Sequence, residues 1–192
     1  KLNLKPQRNA LLSEYDNEFY GLLELKHSSQ SQESVPSKSL NLSIVLDRSG
    51  SMSGQPLFEA KQAAIMMVNK MRPSDQISVV AYDDRADLIV PTTLCQNKEG
   101  IITAIQNICE GGMTNLHKGW LMGAEQVALK KDIKIINRVL LLSDGNANEG
   151  LTDVNELKNH CSRLADTSIT TSTYGLGSSF NEELMINMAG AG

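Results

Sequence analysis

From Leu40 onward, short runs of β-branched and apolar residues alternate with longer stretches in which apolar residues recur every three or four positions. The first pattern predicts strands and the second predicts helices with one buried face. Strands are expected at Leu40–Leu46 (LNLSIVL), Gln76–Tyr82 (QISVVAY), Asp87–Thr92 (DLIVPT), Arg138–Ser143 (RVLLLS) and Ile169–Tyr174 (ITTSTY). The first helix carries Leu57, Ala60, Ala64, Met67, Val68 and Met71, with Pro56 near its start and Pro73 as its stop, where the fixed φ of proline is tolerated and where it terminates. The second is expected over Lys98–Cys109, the third over Leu116–Lys130 and the last over Asn181–Ala189. The fourth opens with Asp153 and Glu156 spaced as a capping box, and buries Val154, Leu157, Cys161 and Leu164.

Strand and helix in alternation predict an α/β fold, a doubly wound, Rossmann-like, mostly parallel sheet with helices on both faces. The Ile and Leu residues of Leu40–Leu46, together with Val79–Val80 and Leu140–Leu142, are expected to be buried on both faces, as residues of central strands are. Asp87–Thr92 is short and contains Pro91, which suits one antiparallel edge strand. Residues 1–39 differ in pattern. Phe19–Lys26 (FYGLLELK) predicts one short extra strand, and His27–Ser39 holds six serines and Pro36. The expected organisation is an N-terminal extension over 1–39 and a domain over 40–192.

Composition changes this picture little: 192 residues, 41% hydrophobic and 21% charged, is ordinary for a globular domain and excludes collagen, coiled coil and disorder. A net charge of −4 with no basic stripe argues against a nucleic-acid partner. The longest apolar stretches, Ala63–Val68 and Val139–Leu142, are far short of the ~20 residues that span a bilayer, so no membrane insertion is expected of this segment. Cys95, Cys109 and Cys161 form no CxxC pair and are read as buried small hydrophobes. Met66, Met67, Met71 and Met122 sit in helical patterns and are expected in the core.

The chemistry gathers at the carboxyl ends of strands. The first strand runs into Asp47-Arg48-Ser49-Gly50-Ser51, the fourth into Ser143-Asp144-Gly145, and Gly111-Gly112-Met113-Thr114-Asn115 lies between the second and third helices. If the first and fourth strands are neighbours, these loops meet where a doubly wound sheet reverses its order and binds ligands. Two carboxylates and three hydroxyls are hard donors suited to Mg²⁺, Mn²⁺ or Ca²⁺. Asp47 and Asp144 are expected at loop tips outside the core, so that replacing either leaves the fold intact.

Rival motifs fail on particular residues. An EF-hand loop starting at Asp144 would need Gly at its sixth position and Glu at its twelfth, where Glu149 and Asn155 stand. An aspartyl phosphatase would need a second acid at Ser49. A serine-hydrolase elbow would need Ser where Met52 lies, and Gly175–Phe180 lacks the third glycine of a dinucleotide loop. His117, three residues after Thr114, is the nearest candidate base, although a helix-surface role is the commoner fate of such a residue.

Together, VLDRSGSM, the GG-x-TNL loop and LLSDGNANEG resemble the metal-ion-dependent adhesion site of von Willebrand factor type A domains, especially free-standing bacterial and archaeal members and secreted heavy-chain types. The resemblance implies metal coordination by Asp47, Ser49, Ser51, Thr114 and Asp144. It also implies that the two serines bind directly, that Thr114 joins or leaves with ligand state, and that the aspartates act largely through water. The implied function is a non-enzymatic protein-binding module whose Mg²⁺, or Mn²⁺ or Ca²⁺, accepts an Asp or Glu carboxylate from a protein partner. Arg48, Met113, Asn115 and Asn146 would form its rim. A metal-dependent hydrolase and an interaction subunit of a chelatase- or ATPase-type assembly are the alternatives. Members of the family close the sheet with a sixth strand and a terminal helix, and the pattern up to Gly192 leads us to expect this last pair to be lacking.

Overall fold

The computed structural model describes residues 2–6, 21–25, 38–177 and 180–192, in two units, Lys1–Ser37 and Lys38–Gly192. In the first unit, β1 (Leu2–Pro6) pairs antiparallel with β2 (Gly21–Leu25), Leu2 opposite Leu25 and Pro6 opposite Gly21. Of the expected FYGLLELK strand, Gly21–Leu25 is present and Phe19, Tyr20 and Lys26 lie outside the described residues, and its partner comes from a stretch that shows no period. The serine-rich segment lies almost wholly outside the described residues.

The second unit is a five-stranded sheet of β3 (Leu40–Asp47), β4 (Gln76–Tyr82), β5 (Ala86–Leu94), β6 (Ile136–Ser143) and β7 (Thr170–Gly175), in the order β5-β4-β3-β6-β7. All pairings are parallel except β4 with β5. Five helices flank it: α1 (Gln55–Lys70), α2 (Lys98–Gln106), α3 (Leu116–Ala128), α4 (Val154–Asp166) and α5 (Glu182–Ala191). Among the described residues no helix is long and apolar enough to cross a membrane. β5 runs past Thr92 because register shifts between Ile77 and Val80 absorb Pro91, which has no N–H to give the ladder. Next to it, the Thr92 amide turns to Gln126 Oε1 at 3.2 Å.

Successive residues of β3 face opposite sides. Ile44 and Leu46 join Leu57, Ala60, Ala64 and Val68 of α1, whereas Val45 joins Trp120, Val139, Leu141, Leu157 and Met188 on the face covered by α3, α4 and α5. Two expectations fail at helix surfaces. Met66 is 59% exposed on the outer side of α1. Cys109 is exposed because α2 ends at Gln106 and leaves it in a loop, while Cys95 and Cys161 are buried and all three thiols are free.

α3 sits unusually close to the sheet. A Cβ at Gly123 would lie 2.3 Å from Val45 Cγ2, and one at Gly119 would lie 2.4 Å from the Tyr82 ring. Only glycine permits that approach.

At the amino end of the sheet Asp75 ties three segments. Its carboxylate accepts from Leu40 N (3.0 Å), Arg72 N (2.8 Å) and the Arg72 guanidinium (2.9 Å). Burial opposes its charge, but these donors outweigh burial and hold the carboxyl below the usual range. A depressed folded-state pKa contributes stability above the unfolded value of about 3.9, and that contribution is lost as pH falls through the folded value. Urea unfolding should show Asp75→Asn clearly less stable than the parent at neutral pH, with the gap closing towards about pH 3. A gap independent of pH would show that the charge of Asp75 is not what matters.

Candidate metal centre

β3 lies between β4 and β6, so the chain leaves the centre of the sheet first to one side and later to the other. The strand order reverses at β3, and the loops that follow β3 and β6 meet there. Backbone hydrogen bonds fasten the third loop to the first: Gly50 N donates to Gly112 O at 2.8 Å and Gly111 N to Arg48 O at 2.7 Å. The loop after β6 is joined in the same way, since Asn148 N (3.1 Å) and Glu149 N (3.2 Å) donate to Thr114 O. Thr114 N returns a bond to Asn148 Oδ1 at 2.9 Å.

Asp47 closes β3 and is fully buried. Its Oδ1 accepts from Ser49 N at 2.9 Å, and its Oδ2 accepts from the Tyr82 hydroxyl at 2.9 Å and the Ser143 hydroxyl at 2.6 Å. These partners are neutral. Burial pushes the Asp47 pKa up, against the lowering effect of the bonds from Ser143, Ser49 and Tyr82. Burial and then the Asp47 charge raise the Tyr82 phenol well above its usual range. A buried carboxylate surrounded by neutral dipoles is a place where a nearby cation would be stabilising.

Ser49 is buried, Ser51 is exposed, and their hydroxyls are 3.3 Å apart. Thr114 and Asp144 are 2% and 5% exposed. Asp144 Oδ1 accepts from Asn146 N at 3.0 Å, with Gly145 at φ +70° making the turn. The N-cap of α3 is Asn115, whose side chain accepts from Lys118 N, so the Thr114 hydroxyl is not needed for capping. Among the described residues no three His, Cys, Asp or Glu side chains converge. The donor set is therefore hydroxyl and carboxylate oxygen, which fits a hard dication.

Met113 is 54% exposed and Asn146 is exposed, each one or two residues from a candidate ligand. Arg48 is bound elsewhere: its guanidinium pairs with Asp83 at 3.1 Å and also with Asp87, and its side chain is only 14% exposed. It braces the β3 exit against the β4 exit. Asp47 and Asp144 are both buried rather than at exposed loop tips, because the strand ends carry them under the covering loops.

Four participants are not among the ligand or rim residues that the motifs imply. Tyr82 and Ser143 hold Asp47. Asp83 is buried, receives Arg48 and Arg85, and fills the space that a side chain on Gly111 would need, 2.0 Å from that Cβ position. Asn148 fastens Thr114. A polar residue ending an apolar strand, as Tyr82 and Ser143 do, was the one available signal.

The von Willebrand factor type A domain model matches residues 41–192. The chain belongs to the von Willebrand factor type A family. Among curated relatives, this A domain is 32% identical to the protein sll0103 of Synechocystis over 76% of the chain and 34% of that protein, and 31% identical to YfbK of Escherichia coli over 92% of the chain and 31% of that protein. The chain thus spans about a third of either relative. It also aligns at 24% identity with the human inter-alpha-trypsin inhibitor heavy chain H3, over 82% of the chain and 18% of that protein. Solved structures with the same fold include an A domain from Catenulispora acidiphila (TM-score 0.66, 19% identity, 80% of this chain and 37% of that one). Another is proximal thread matrix protein 1 of the mussel byssus with a zinc-occupied adhesion-site motif (TM-score 0.67, 20% identity, 80% and 42%).

Proposed function

We propose that this A domain is a divalent-cation-dependent binding module for a protein partner that presents an Asp or Glu carboxylate. What supports this reading is the cross-loop fastening, which ties the loop carrying Thr114 to the loop carrying Ser49 and Ser51, next to a buried Asp47 that is hydrogen-bonded only by neutral groups. Ser49, Ser51 and Thr114 would hold the ion, with Asp47 and Asp144 behind them. With neutral hydroxyls nearest, a bound dication keeps much of its charge and supplies an electrophilic centre for an external carboxylate. Tyr82 and Ser143 fix the Asp47 rotamer, and Asn148 fixes the Thr114 backbone. Met113 and Asn146 would meet the partner. The zinc held by the mussel protein at its own motif supports the reading. For the hydrolase alternative His117 would have to be the base, yet its Nε2 faces His160 at 3.0 Å.

Thermal unfolding of the metal-stripped chain tests the ion. Mg²⁺ or Mn²⁺ at a hundred times its dissociation constant should add about 2.7 kcal/mol, or roughly 5 to 10 °C in Tm. Asp144→Ala should remove the shift. No shift with Mg²⁺, Mn²⁺ or Ca²⁺, or an equal shift in the variant, would overturn the assignment. Immobilised peptides bearing Asp or Glu should then retain the domain in Mg²⁺, and those bearing Asn or Gln should not.

A further inference from the structure

Directly after the loop that ends at Asn115, α3 and α4 meet through two imidazoles. His117, on the first turn of α3, places Nε2 3.0 Å from Nδ1 of His160 in the second turn of α4. The ring centroids are 5.0 Å apart and the planes are inclined by 49°. Trp120, one turn further along α3, lies with its ring 5.9 Å from that of His117 and is anchored by its own N–H to Thr171 Oγ1 at 3.1 Å. Both histidines are half-buried, so one side of the pair stays open to water.

Two neutral imidazoles at this separation share one proton: one nitrogen donates and the other offers its lone pair. If the donor ring moves that proton to its other nitrogen, both lone pairs point at the same spot and no proton is released. Two metal–nitrogen bonds of ~2.0–2.1 Å at a tetrahedral angle place the nitrogens about 3.3 Å apart. The observed pair is within a few tenths of an ångström of that spacing. Burial, and secondly the neighbouring His160, lower the His117 pKa. Proton competition for a cation at His117 is reduced accordingly.

We propose that His117 and His160 form a second cation site, for a borderline transition-metal dication such as Zn²⁺, Cu²⁺ or Ni²⁺, that links α3 to α4. Imidazole nitrogen favours these ions over Mg²⁺ and Ca²⁺, so the two sites differ in the metal they select. No third His, Cys, Asp or Glu joins the pair among the described residues, and water completes the coordination. The proposal does not depend on the carboxylate-binding function.

The test is a Zn²⁺ titration of the full chain with millimolar Mg²⁺ present throughout. Tm should rise by roughly 3 to 6 °C at ten times the dissociation constant. The rise should vanish in His117→Gln and in His160→Gln and persist in Asp144→Ala. A rise that survives both Gln substitutions and vanishes in Asp144→Ala would place the ion among the oxygen donors and overturn the proposal, as would no rise at all. Electron paramagnetic resonance of Cu²⁺ added to the parent chain decides even if a variant fails to fold. Superhyperfine splitting from two imidazole nitrogens is expected, and its absence overturns the assignment.

Discussion

Alanine at position 47 is expected to lower the unfolding free energy by about 2 to 4 kcal/mol and to abolish the cation-dependent rise in Tm. The stability loss comes from three donors left in a fully buried place: Ser49 N, the Tyr82 hydroxyl and the Ser143 hydroxyl, now 2.9, 2.9 and 2.6 Å from a carboxylate oxygen. Each orphaned buried group costs about 1 to 3 kcal/mol. The sum is reduced because hydroxyls can rotate and because alanine relieves the burial that raises the Asp47 pKa. Asp47→Asn separates the two effects. It keeps the shape and one acceptor, so stability should fall by less than about 1.5 kcal/mol while the cation response is lost with the charge. Urea unfolding with and without Mg²⁺ reads both quantities. An alanine variant as stable as the parent would show that Asp47 is not part of the framework.

The second large effect is expected far from any motif. Gly119→Ala should destabilise by about 2 to 3 kcal/mol, in the upper range for overpacking, and should weaken the cation response. The added methyl would lie 2.4 Å from Tyr82 Cγ and Cδ1 and 2.8 Å from its Cβ. These are the inner atoms of a fully buried side chain, which cannot swing clear as the tip of a lysine could. Either α3 lifts off the sheet or Tyr82 moves, and Tyr82 carries the hydroxyl that holds Asp47. Gly190→Ala in α5, where nothing lies within 4 Å of the Cβ position, is the control and should be neutral or slightly stabilising. Equal effects at the two positions would refute the close-packing account.

What was legible in the sequence follows from the range of the interactions involved. Strands such as QISVVAY and RVLLLS and the spacing in α1 declare themselves locally, because burial on one or two faces imposes a period on neighbouring residues. The pairing of the first and fourth strands could be anticipated because crossover handedness and the acidic strand ends agree. The burial of Asp47 could not, since Asp-Arg-Ser-Gly reads as a turn, and only Tyr82 and Ser143, 35 and 96 residues away, show it to be interior. Gly119 and Gly123 carry no local signal, because their role exists only against β3 and β4. Arg48 looked like a rim cation until Asp83 and Asp87 were seen beside it. The exposure of Met66 and Cys109 depends on a helix face and a helix end, which a period alone locates only to within a few residues.

The ties between the loops at the centre run from main chain to main chain: Gly50 to Gly112, Gly111 to Arg48, and Asn148 and Glu149 to Thr114. None of these bonds uses the side chain of Met113 or Asn146. Met113 and Asn146 can therefore be exchanged, by mutation in nature or by library selection in the laboratory, without loosening the frame that gathers the oxygen donors. Under the proposed function, the residues that would choose a partner can change without altering the frame that would grip an ion.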